Sequence, residues 1–135
     1  MKKYFIFSIA VLALTSCKTT MKEAWNYYPN EINLNDYDHL QFVKVKKGAT
    51  VLVKVDANPS TGYAWKTETE NDCSVNVNEG DYKQNDAPEG MVGVPGVRTY
   101  EVKGENLGSC LVEFQQTPPG EETPSERKGI YFIVE

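Results

Sequence analysis

Val51-Leu52-Val53-Lys54-Val55-Asp56-Ala57-Asn58-Pro59-Ser60-Thr61-Gly62-Tyr63-Ala64-Trp65-Lys66 is the stretch from which the fold can be read. Val51, Val53 and Val55 alternate with Leu52 and Lys54, the period of a strand with one face buried. Five small or conformationally restricted residues, Asn58 to Gly62, then interrupt the pattern. Pro59 fixes its own φ and pushes Asn58 into an extended conformation. Asn58, Ser60 and Thr61 can bond nearby backbone groups, and Gly62 can adopt a positive φ. Alternation resumes with Tyr63 and Trp65 on one face and Ala64 and Lys66 on the other. The stretch therefore reads as strand, stiff narrow turn, strand.

The same period continues outward. Upstream, Phe42, Val43 and Val45 lead into a Lys46-Lys47-Gly48 turn. Downstream, Val75 and Val77 alternate with Asn76 and Asn78, and a loop rich in Gly and Pro runs from Gln84 to Gly96. Strands follow at Arg98 to Lys103, Cys110 to Phe114 and Ile130 to Val134, separated by a Gly104-to-Gly108 turn and a long Gln115-to-Lys128 loop. About seven short strands and no amphipathic helix predict an all-β fold, an antiparallel sandwich of immunoglobulin type. Trp65 is the expected core tryptophan.

The amino terminus reads differently. Lys2 and Lys3 precede an apolar run, Tyr4 to Leu14, shorter than the ~20 residues a spanning helix needs. It ends in Leu14-Thr15-Ser16-Cys17, the pattern that precedes a lipid-modified cysteine in bacterial lipoproteins. Ordinary signal-peptide cleavage nearby is the alternative. Residues 1–17 are thus expected to be a lipoprotein signal peptide ending at the lipidated Cys17, 18–38 a polar tether, and 39–135 one folded domain. Aromatic residues Trp25, Tyr27 and Tyr28 are expected to dock on the domain's flank. Such a chain would hang in the bacterial cell envelope by acyl chains, each buried CH₂ contributing about 0.8 kcal/mol. Lys18 lacks the aspartate associated with inner-membrane retention, which favours the outer membrane.

Without Lys2 and Lys3 the 14 basic residues fall to 12 against 19 acidic, a net charge near −7. Nucleic-acid binding normally needs a basic patch, so that class is set aside. Cys73 and Cys110 have no metal-like spacing. In an oxidising compartment they could form a disulfide contributing about 4 kcal/mol; otherwise they pack as small hydrophobes. His39 is the single histidine and stands in no motif, so it reads as a surface residue. No serine or cysteine sits in a nucleophile motif, and no glycine loop suits a phosphate. The sequence is that of a non-enzyme without cofactor or metal.

Composition alone leaves the Asn58-to-Gly62 tip either a tight connection or a preformed plug for a cleft. Asn58-Pro59-Ser60-Thr61-Gly62-Tyr63-Ala64-Trp65 resembles the NP-[ST]-TG-[YF]-x-W signature of the chagasin family, proteinaceous inhibitors of papain-like cysteine proteases. The family's Gly-x-Gly-Gly segment corresponds to Gly93-Val94-Pro95-Gly96, with Pro95 replacing a glycine. Its Arg-Pro-Trp segment corresponds to Phe114-Gln115-Gln116-Thr117-Pro118-Pro119-Gly120, which lacks the tryptophan.

The resemblance implies a monomeric, non-covalent, competitive inhibitor with three loops at one end of an immunoglobulin-like sandwich. Asn58, Pro59, Ser60, Thr61, Gly62 and Tyr63 would cover the catalytic cysteine and histidine. Met91, Val92, Gly93, Val94, Pro95 and Gly96 would run along the non-primed side, Val92 or Val94 filling the apolar specificity pocket. Thr117, Pro118 and Pro119 would touch the primed side. An adhesion or ligand-binding module and a structural envelope lipoprotein are the competing readings, since the sandwich fold hosts many functions.

Overall fold

In the computed structural model, which describes residues 25–38 and 40–135, the valine stretch becomes the fourth of nine strands. In chain order these are β1 (Trp25–Tyr27), β2 (Glu31–Asn33), β3 (Gln41–Val45), β4 (Thr50–Ala57), β5 (Ala64–Thr69), β6 (Val75–Gln84), β7 (Gly96–Gly104), β8 (Gly108–Thr117) and β9 (Glu126–Val134). Two single 3₁₀ turns, Leu34–Asp36 and Pro59–Thr61, are the helical elements among the described residues. Signal segment, Cys17 and His39 lie outside the described residues.

One sheet has the order β1-β3-β9-β8-β5 and the other β2-β4-β7-β6. The sandwich expected from the sequence is thus present, with nine strands and a mixed pairing. β1 with β3, β2 with β4 and β3 with β9 are parallel; the remaining pairs are antiparallel.

The inward faces of β3, β4, β7, β8 and β9 follow the period read from sequence. Val51, Val53 and Val55 of β4 are buried against Cys110, Val112 and Phe114 of β8, Ile130, Phe132 and Val134 of β9, and Tyr100 and Val102 of β7. Tyr100 and Phe114 meet edge to face with ring centroids 5.3 Å apart, an arrangement the ring quadrupoles favour. Phe42 points to the other face of its sheet and packs edge-on against Tyr131.

Three expectations change. Trp65 stands on the edge strand β5 and is half-buried, packing against the margin of the core instead of filling its centre. Its indole N–H donates to the carbonyl of Asp56 over 3.0 Å, so the polar edge of the ring is satisfied. The last hairpin is longer than predicted, because Gln115, Gln116 and Thr117 continue β8 by pairing with Arg127, Glu126 and Ala64. Backbone pairing does not require apolar side chains, so polar strand ends leave no period-two signal.

The third change concerns the tether. From Trp25 onward the segment belongs to the domain: β1 extends one sheet and β2 the other. The crossover between them is held at Tyr28, whose N–H donates to Lys44 O over 3.0 Å and whose hydroxyl donates to the Glu135 carboxylate. That bond raises the Tyr28 pKa and lowers that of Glu135. Ile32 and Leu34 enter the core, which is what makes this polar-looking stretch fold.

Cys73 and Cys110 form a disulfide, with Cα atoms 5.1 Å apart. It joins the β5–β6 connection to the start of β8, at the end of the sandwich opposite the Asn58 turn.

Candidate functional site

Chain direction brings three connections to one end. Ala57 pairs with Gly96, Gly96 with Gln84, Ala64 with Thr117, and Gln116 with Glu126. The loops 58–63, 85–95 and 118–125 therefore leave the sheets at the same level. The second is a hairpin loop of the β2-β4-β7-β6 sheet, and the third a hairpin loop of the other sheet. The first crosses from one sheet to the other, so it must pass between them. Topology alone makes it the central loop.

Side chains then lock this arrangement. The Asn58 amide Nδ2 donates to Gly93 O over 3.0 Å, joining the first loop to the second. Asn58 Oδ1 accepts from the Ser60 hydroxyl, and Thr61 Oγ1 donates to Asn58 O over 2.7 Å. Pro59 opens a single 3₁₀ turn that Gly62 ends in the left-handed region at φ 80°, its N–H bonded to Pro59 O. A Cβ at Gly62 would sit 2.9 Å from Cβ of Pro119, so the third loop rests directly on the first. Glycine is required there twice over, for its φ and for the contact.

Not every expected residue faces outward. Ser60, Thr61, Gly62 and Tyr63 are exposed at the tip, as are Met91, Val92, Gly93, Pro95 and Pro119. Val92 is 92% exposed, the extreme among the large apolar side chains of the described residues. Val94 is buried, so of the two valines only Val92 is free to enter a partner's pocket. Thr117 is also buried, as the last residue of β8. Gly96 begins β7, where a Cβ would collide with the Lys83 carbonyl and come 2.7 Å from the Tyr82 ring. Val94, Gly96 and the Thr117 side chain are spent on the domain because each lies at a strand root. Pro118 is half-buried and Asn58 acts inward on its neighbours.

Sequence reading missed the residues that brace the second loop. Gln84 Nε2 donates to Val94 O over 3.3 Å and Asn85 N–H to Pro95 O over 2.9 Å. Proline fits at 95 because the bond made there uses its carbonyl and not an N–H, which proline lacks. Arg98 pairs with Glu79 at 2.5 Å beside a hollow of about 310 Å³ lined by Pro59, Tyr63 and Trp65. Apart from Asn85, which opens the loop, these are ordinary strand residues, and none has a signal in a linear pattern. Among the described residues, no group of His, Cys, Asp or Glu is arranged to hold a metal.

Comparison with known proteins agrees with this fold. Amoebiasin-2 of Entamoeba histolytica is 22% identical over 134 residues, covering 99% of this chain and 98% of that one. The crystal structure of the cysteine protease inhibitor EhICP2 from Entamoeba histolytica superposes with a TM-score of 0.64 at 22% identity, over 82% of this chain and 97% of that one. PbICP-C, solved in complex with falcipain-2, gives a TM-score of 0.60 at 15% identity, over 78% and 99%. Structural likeness at such identities establishes the fold. The model of the chagasin family of peptidase inhibitors (I42) matches residues 44–134, more than half of the sequence, and the chain belongs to that family.

Proposed function

We propose that this protein is a reversible, non-covalent, competitive inhibitor of papain-like cysteine proteases that occludes the catalytic cleft with its three loops. The observation that carries the reading is the bracing of the central tip, bonded to the second loop through Asn58 and packed on the third through Gly62. A tip already held in one conformation loses little entropy on entering a cleft. It also resists cleavage, because a turn tied at both flanks does not relax into an extended substrate pose.

In this reading Ser60 and Thr61 hydrogen-bond over the catalytic cysteine and histidine. Val92 fills the apolar non-primed pocket, and Pro118 and Pro119 contact the primed side. The missing tryptophan leaves the third loop with less apolar area, which shifts binding energy to the first two loops. The inhibitor acts as a monomer. Its Leu14-to-Cys17 segment supports a lipid anchor at Cys17 and residence in a bacterial envelope, probed by acyl labelling of a Cys17→Ser variant.

Titration of the purified protein against a panel of papain-like proteases tests the reading. Competitive inhibition is expected, lost by at least tenfold in Thr61→Arg with a stability change under ~1 kcal/mol, the usual surface range. Full inhibition by Thr61→Arg removes the tip from the mechanism. No inhibition of any member by the parent protein returns the chain to a ligand-binding module.

A further inference from the structure

Between them the three loops carry carboxylates and no cation. Residues 58–65, 85–97 and 117–125 contain no lysine or arginine. Within them stand Asp86 and Glu89 on the second loop and Glu121 and Glu122 on the third, all exposed. The cations nearest the loops along the chain are on strands, at Lys66, Lys83, Arg98 and Arg127.

Five carboxylates on or beside the strands have cationic partners. Glu31 pairs with Lys54, Glu79 with Arg98, Glu113 with Arg127, Glu126 with Lys128 and Glu135 with Lys44. Two of the cations nearest the loops, Arg98 and Arg127, are thereby already engaged. None of Asp86, Glu89, Glu121 or Glu122 lies within ion-pair distance of a lysine or arginine among the described residues. The four unpaired charges sit on the loops either side of the central tip. The tip itself is neutral, and the exposed Met91 and Val92 provide an apolar contact beside it.

Opposite charge across an interface steers encounter, and like charge facing like costs several kcal/mol and excludes a partner. A wholly acidic rim around a neutral plug is therefore a selector. Resting on the reading of this end as the inhibitory one, we infer that its target is a papain-like protease whose cleft is bordered by lysine and arginine on both the primed and non-primed sides. The neutral tip closes the catalytic centre, and the flanking carboxylates choose which protease reaches it. This rim replaces in part the aromatic anchor that the third loop lacks.

Stopped-flow association of the full chain in detergent micelles tests this against two papain-like proteases, one with a basic and one with an acidic cleft rim. The basic-rimmed enzyme is expected to associate at least tenfold faster at 20 mM than at 500 mM salt, since screening acts within about 10 Å at 0.1 M. The doubly reversed variant Glu121→Lys/Glu122→Lys should slow that association about tenfold at low salt and speed it with the acidic-rimmed enzyme, leaving dissociation nearly unchanged. Inhibition that persists with rates indifferent to salt and to charge reversal overturns the inference while sparing the inhibitory reading. Absence of inhibition of both enzymes by the parent chain removes both.

Discussion

The side-chain amide of Asn58 reaches across to the main-chain oxygen of Gly93, 3.0 Å away, and so ties together two loops distant in sequence. The same side chain accepts the Ser60 hydroxyl, and its main-chain oxygen accepts Thr61. One residue thereby fixes both the shape of the tip and its position beside the second loop.

Asn58→Asp keeps the acceptor for Ser60 and loses the donor to Gly93. A net hydrogen bond contributes about 1 kcal/mol, so thermal stability should fall by that order. Inhibition should weaken more than stability, by about tenfold or more, because the loops are no longer prearranged. Parallel titration and thermal melts separate the two effects, and equal inhibition by the variant counts against prearrangement.

Gly62→Ala should destabilise by about 1–2 kcal/mol from the positive φ, with an added cost from the contact with Pro119. Pro119→Gly removes the opposing Cβ. In a double-mutant cycle it should recover the contact part and leave the backbone part. Additive single effects would show that the third loop does not rest on the first. The same geometry makes Gly62→Glu a poor probe of binding, since it strains the turn as well as blocking it.

Removing the disulfide by Cys110→Ser should cost about 2–5 kcal/mol. The bridge lies at the far end from the three loops, so the variant should inhibit normally at temperatures where it remains folded. A melt with and without reductant measures the first claim. Loss of inhibition by folded variant would contradict the second.

Tyr100 is almost fully buried and its hydroxyl has no hydrogen-bond partner. Burial, with the negative field of Glu79, pushes its pKa up to about 12. The unfolded chain releases this proton near pH 10 and the folded one near 12, so the native state is favoured below pH 10. That contribution, of order 2 kcal/mol, is lost as pH rises from 10 to 12. Tyr100→Phe keeps the ring on Phe114 and removes the stranded hydroxyl. It should be neutral or stabilising by about 1 kcal/mol at pH 7 and should lack the part of the alkaline decline due to this group. Denaturant melts at pH 7, 10 and 11.5 read both effects.

Local pattern carried the architecture, because alternation with period two is a property of neighbours along the chain. Val51, Val53 and Val55, or Val112 and Phe114, can be assigned to an inward face without knowing what they meet. The Asn58-to-Trp65 motif likewise revealed the family and the tip. Strand limits in Gln115–Thr117 and the two short strands Trp25–Tyr27 and Glu31–Asn33 escaped, since backbone pairing with a distant partner, not side-chain alternation, holds them.

What only the tertiary structure decided is which loop residues are free. Val92 and Val94 are alike in sequence, yet one is exposed and the other buried, because the second stands at the root of β7. Thr117 and Gly96 belong to the sheets for the same reason. Sequence named three loops. The crossing of the first between the two sheets made it central, with an acidic loop on either side, and burial depends on what lies across the sandwich, which no linear pattern records.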